Sequence, residues 1–123
     1  MEFNIQNIDN AIRKSKTDRE YTIYRGVTDL SWLKNANVGG TFTEKAFGSF
    51  TLDLNRALRY SNPENPIIFQ LETEKGTNML YVDRSENEIL RPRESTYEIK
   101  KIQKIYLRET TEHTIYKIEM PEE

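Results

Sequence analysis

Beyond one amphipathic segment near the N-terminus, the regular stretches of this chain are mostly short, alternating and rich in β-branched or aromatic residues, and that succession constrains the fold most. Ile5, Ile8, Ala11 and Ile12 share one helical face and Asp9-Asn10 offer capping oxygens, so the spacing predicts a helix over Ile5–Lys16. Strands are predicted at Tyr21–Gly26, Thr41–Thr43, Phe47–Leu52, Ile67–Glu72, Met79–Val82, Glu88–Leu90, Thr96–Leu107 and Thr114–Met120. The alternation of Thr96–Leu107 slips at Lys100-Lys101, which predicts a bulge. Leu30, Trp32 and Leu33 suggest a short helical turn, and Asp53 caps a second short helix, Leu54–Ser61. Asn62–Pro66 reads as a loop and Thr110-Thr111-Glu112 as a hairpin turn. Helix first and strands later argue for an α+β architecture, and 123 residues for one domain, 1–123.

Composition decides which chemistries such a domain can carry. Only 36% of residues are apolar and 31% are charged, so seven tyrosines and five phenylalanines must supply much of the core volume. With no cysteine, disulfides and thiolate metal sites are excluded. The single histidine, His113, cannot build a multi-histidine metal centre or a serine–histidine triad, and no metal is expected. His113 falls beside the predicted hairpin turn and is expected to be exposed. A net charge of −2 argues against broad electrostatic binding to nucleic acid or to an anionic membrane. The charged run Glu98–Lys104 reads as a solvated strand face. No basic, apolar leader opens the chain and no run approaches a membrane span, so the expected location is cytoplasmic.

Three groups of residues carry candidate chemistry. Tyr21, Ile23 and Arg25 share one strand face, which would leave the Arg25 guanidinium partly buried and in need of an anion. An arginine at a strand end with its head in solvent fits the same position, and the pattern leaves both open. Ser49 and Thr51 present two hydroxyls on one face of the following strand, as any strand serine and threonine would. Glu86 and Glu88, if extended, share a face with α-carbons roughly 7 Å apart. Paired carboxylates suit glycosyl chemistry, where an oxocarbenium-like transition state needs negative charge nearby. A solvated acidic loop paired with Arg84, Arg91 and Arg93 is the plain alternative.

Taken in order, these motifs resemble the toxin-type mono-ADP-ribosyltransferases of the Arg-Ser-Glu class. The resemblance rests on Tyr24-Arg25-Gly26-Val27, on Phe47-Gly48-Ser49-Phe50-Thr51-Leu52-Asp53 followed by a helix, and on Ser85-Glu86-Asn87-Glu88-Ile89-Leu90 followed by Pro92. It implies two packed, mainly antiparallel sheets with NAD in the cleft between them. It further implies that Arg25 binds the NAD pyrophosphate, the Gly26 backbone lies near the nicotinamide amide, and Ser49 orients Glu88. Thr51 takes the third position of the Ser-x-Ser strand, and Tyr60 stacks on nicotinamide. Glu88 would stabilise the ribosyl cation, and Glu86 would engage the acceptor, a glutamate there going with arginine as target. Phe50 stands where the family's strand has threonine, and it points away from Ser49. The nearest aromatic upstream of Glu86 is Tyr81.

The resemblance therefore implies an enzyme that moves ADP-ribose from NAD to arginine of a target protein, of phage or effector-toxin type. A cognate immunity or host protein is a further expected partner. Two competitors use the same residues differently: an NAD glycohydrolase with water as acceptor, and a non-catalytic binding or inhibitor module that keeps the fold.

Overall fold

The computed structural model describes residues 5–83, 87–107 and 111–120. Its helices are α1 (Ile5–Lys14) and α2 (Leu54–Arg59). The strands are β1 (Tyr21–Val27), β2 (Thr41–Glu44), β3 (Gly48–Thr51), β4 (Ile67–Thr73), β5 (Leu80–Asp83), β6 (Glu88–Arg91), β7 (Ser95–Leu107) and β8 (Thr111–Glu119). They join in the order β2-β7-β8-β4-β1-β3-β6-β5. Every described pairing is antiparallel except β4 with β8.

The ladder narrows at one place. Between β1 and β3 the register holds a single pair, Tyr24 with Thr51. On either side of this neck the halves β2-β7-β8-β4-β1 and β3-β6-β5 share one core. Phe50 and Ile89 from the smaller half pack with Ile23, Phe69, Tyr97 and Ile99 from the larger. The Phe50 and Tyr97 rings lie 6.2 Å apart. The two packed sheets expected from the sequence are thus two halves of one continuous, mixed sheet, and the α+β class holds. Alternation accounts for the packing: Ile23 faces Leu71 across β1–β4, and both are fully buried. On β7 the bulge lies where the pattern slips, between Ile99 and Lys101. Ile99 and Ile102 pair with Ile118 and Tyr116, so three steps on β7 match two on β8 and the apolar face is kept.

Two short helices pack against the sheet. α1 buries Ile12, and Asn78 Nδ2 donates to the Ile12 and Arg13 carbonyls at 3.1 and 2.9 Å, satisfying the helix end. Arg93 ties α1 to the segment after β6, its Nε donating to Asp9 at 3.0 Å. α2 starts as predicted, with Asp53 accepting from the Asn55 N–H at 2.9 Å. It packs Ala57 against Ile68 and Ile115, apart from the main core.

Two expectations are corrected at the β7–β8 connection. β8 starts at Thr111, opposite Leu107, so Thr111 and Glu112 are strand rather than hairpin turn. His113 therefore lies inside the ladder, opposite Ile105, on the inward alternation with Ile115. It is 1% exposed, and among the described residues neither ring nitrogen has a hydrogen-bond partner. Burial pushes its pKa below the ordinary histidine value.

Candidate active site

The neck of the sheet generates a cleft. β1 and β3 diverge from Tyr24–Thr51, and α2 covers β1 beside it, leaving a cavity of about 320 Å³. Arg25, Gly26, Ser49, Thr51, Tyr60 and Glu88 all line it. Six of the seven candidate residues, drawn from three strands and a helix end, therefore reach one cavity. The seventh, Glu86, lies outside the described residues.

Each reaches it for a local reason. Thr51 stands opposite Glu88 on β6, which puts Ser49, Thr51 and Glu88 on one face. The Ser49 hydroxyl donates to Glu88 Oε2 at 3.0 Å. Thr51 is buried, and its Oγ1 accepts from the Asp53 N–H at 3.1 Å, fixing the turn from β3 into α2. Tyr60 caps the C-terminus of α2 and is 58% exposed, so its ring is open to a planar ligand. Gly26 is required by contact: a Cβ there would lie 1.9 Å from the Ala57 carbonyl oxygen. The glycine after Arg25 lets α2 cross β1 closely enough to form one side of the cleft.

Arg25 lies on the core-side alternation, opposite Phe69, with its side chain 31% exposed. It is the partly buried arginine of the first sequence reading. Its guanidinium pairs with Glu44 at the end of β2, and burial lowers its pKa from the ordinary value. Sequence reasoning missed Glu44, because nothing local indicates that the end of β2 meets β1. It also missed Arg56, which lines the cleft from α2. The available signal for Arg56 was its place beside Ala57 in the helix that Asp53 caps.

Chemically, the cleft offers guanidinium groups for an anionic pyrophosphate, an oriented hydroxyl–carboxylate pair for ribose, and an open aromatic ring for a flat heterocycle. These residues fit NAD. Among the described residues, no group of three or more His, Cys, Asp or Glu side chains could hold a metal ion. No described helix is long and apolar enough to cross a membrane.

Comparison with known proteins bears on the family and the fold. The family model described as ADP-ribosyltransferase exoenzyme matches residues 1–121. No curated protein matches the sequence. Among solved structures, the chain is similar to Plx2a, an ADP-ribosyltransferase toxin from Paenibacillus larvae, with TM-score 0.73 and 21% identity over 96% of this chain and 69% of that one. It is also similar to C3stau2 from S. aureus, solved with NAD, with TM-score 0.71 and 19% identity over 92% of this chain and 68% of that one. The Clostridium limosum C3 exoenzyme gives TM-score 0.71 and 20% identity over 95% of this chain and 66% of that one. At these identities the structural likeness concerns the fold.

Proposed function

The chain belongs to the ADP-ribosyltransferase exoenzyme family, whose substrate is NAD, and on that premise we propose that it transfers ADP-ribose from NAD to an arginine side chain of a target protein. The observation that carries the proposal is the Ser49–Glu88 hydrogen bond in the cleft that Arg25 and Tyr60 also line. Arg25 and Arg56 would take the pyrophosphate charge, and Tyr60 the nicotinamide ring. As the bond between nicotinamide and ribose breaks, nicotinamide leaves with the bonding electrons and positive charge develops on the ribose. Glu88, held by Ser49, supplies the opposing charge. An arginine acceptor is protonated and a poor nucleophile. Glu86, two residues upstream, would bind it and take the proton it loses as its nitrogen bonds to the ribose. The Glu-x-Glu spacing supports arginine over other acceptors.

The target would be a protein of the cell in whose cytoplasm the enzyme acts, as for a phage enzyme or a delivered effector toxin. A cognate immunity or host protein that covers the cleft is the partner such an enzyme would need. An NAD glycohydrolase would use the same cleft with water as acceptor. A non-catalytic module has no use for Arg25, Ser49 and Glu88 converging on one cavity. The test follows nicotinamide release and labelled ADP-ribose on poly-arginine and on lysate proteins. Labelling removed by arginine competitors supports the transferase. Nicotinamide release with no labelling points to the glycohydrolase, and neither signal to the binding module.

A further inference from the structure

Arg25 reaches the cleft from β1, but the group that holds it comes from the far side of the sheet. Its Nη1 donates to Oε1 of Glu44, the last residue of β2. β7, β8 and β4 stand between β2 and β1, so no ladder carries this contact. The crossing runs over the core instead. Arg25 stands opposite Phe69 on β4, and Phe42 lies two residues before Glu44, on the same face of β2. The Phe42 and Phe69 rings are 5.3 Å apart, and the ion pair makes the same crossing as they do. Trp32 meets both rings edge-on, at 5.5 and 6.1 Å. The Glu44 side chain is 15% exposed, less than that of Arg25, so the carboxylate is the more enclosed partner.

Two observations decide what Glu44 does there. Among the described residues Arg25 lines the cleft and Glu44 does not, so the carboxylate holds the guanidinium from outside the space a ligand would fill. The bond uses Nη1, which leaves Nε and Nη2 for a second acceptor. A rival of the pyrophosphate would stand in the cleft; a post stands behind it. A free arginine side chain must give up many rotamers on binding, and one that is already held gives up fewer. We infer that Glu44 is a positioning residue for NAD binding: its carboxylate oxygen holds the Arg25 guanidinium in the orientation that meets the pyrophosphate. This rests on the pyrophosphate role given to Arg25 in the proposed function.

Two variants separate reach from charge. Glu44→Asp keeps the charge and draws the oxygen back by one methylene. Glu44→Gln keeps the reach and an acceptor oxygen, and removes the charge. ADP-ribose contains the pyrophosphate and nicotinamide does not, so each is titrated separately, the first by calorimetry and the second by nuclear magnetic resonance. Affinity for ADP-ribose should fall roughly three- to tenfold in Glu44→Asp, the range for one side chain that must be immobilised on binding. In Glu44→Gln it should stay within about twofold of the parent, because the side chain is still held. Affinity for nicotinamide should not change in either variant, as it would if the substitution merely loosened the fold. In NAD turnover the loss should appear in KM and not in kcat. A tighter ADP-ribose complex in either variant would make Glu44 a rival of the pyrophosphate and overturn the inference. So would parental affinity in Glu44→Asp, an equal loss in Glu44→Gln, or a parallel loss for nicotinamide. Arg25→Lys is the control. Unchanged ADP-ribose affinity there removes the pyrophosphate role of Arg25, and the inference with it. A loss there, with parental affinity in Glu44→Asp, overturns the inference alone.

Discussion

Ser49 and Glu88 are joined on a diagonal. Ser49 stands opposite Leu90 and Glu88 opposite Thr51, yet the Ser49 hydroxyl reaches Glu88 Oε2 at 3.0 Å across the β3–β6 ladder. Same-face diagonal neighbours in a sheet are within reach of long side chains. The glutamate is therefore the arm that extends and the serine the post that stops it. Glu88→Gln keeps the shape and removes the charge. Nicotinamide release and protein labelling should both fall by roughly a hundredfold or more, as for other groups that stabilise developing charge. Ser49→Ala leaves the charge but frees the arm, and a smaller loss of roughly tenfold is expected. Nicotinamide release at the parental rate in Glu88→Gln would remove that residue from the mechanism.

Arg25 is shared between Glu44 and the cleft. A planar fork can keep the carboxylate and present its remaining N–H groups to a pyrophosphate, whereas an ammonium is a point charge. Arg25→Lys should therefore weaken NAD binding while the protein stays folded. Calorimetry with NAD gives the affinity, and an unchanged value would free Arg25 from the phosphate role.

Gly26 tests the architecture rather than the chemistry. Any Cβ at this position meets the backbone of α2, which cannot move aside as a flexible side chain can. Gly26→Ala should destabilise the fold by about 1–3 kcal/mol, the range for overpacking, and loosen α2 from β1. Urea unfolding measures the first effect. A loss smaller than about 0.5 kcal/mol would show that α2 shifts freely.

Much of this was legible in the chain because the relevant physics is local. β-Branched and aromatic composition marked β1, the Asp53 cap marked the start of α2, and the slip at Lys100-Lys101 marked the β7 bulge. The ordered motifs around Arg25, Ser49 and Glu88 identified the residues that line the cleft. What was not legible depends on partners distant in sequence. Glu44 meets Arg25 only because β2 joins through β7 and the sheet folds over its core. The single Tyr24–Thr51 pair that makes two halves out of one sheet leaves no mark on either strand. At His113, Thr110-Thr111-Glu112 has turn-like composition, but the pairing with β7 carries the strand back to Thr111.

The buried His113 gives the stability a pH dependence of known sign. Its folded-state pKa is depressed, because burial disfavours the imidazolium and no partner among the described residues compensates. Below the ordinary value of 6.5 the unfolded chain takes up a proton that the folded chain refuses. Stability from this group is therefore complete above that pH and is lost as pH falls through the depressed folded pKa. Urea midpoints should drop between pH 7.5 and 5, and more steeply than in His113→Leu, whose residual slope reports the carboxylates. Equal slopes would mean that His113 titrates alike in both states.

The two glutamates are predicted to separate cleavage from transfer. Cleavage needs negative charge beside the ribose whatever the acceptor, and among the described residues Glu88 is the carboxylate that lines the cleft. Transfer to arginine also needs a group to hold a cation and take its proton, and the chain supplies Glu86 two residues upstream. Glu86→Gln retains size and hydrogen bonding but has neither charge nor basicity. Arginine labelling should fall by roughly a hundredfold or more, at the lower end of what a general base contributes. Slow nicotinamide release into water should persist within about twofold, because Glu88 and its Ser49 support are untouched. Both signals are read from one incubation with doubly labelled NAD. Full labelling in Glu86→Gln would break the link between this glutamate and the acceptor. Loss of nicotinamide release together with labelling would place Glu86 in the cleavage step and make the pair one functional unit.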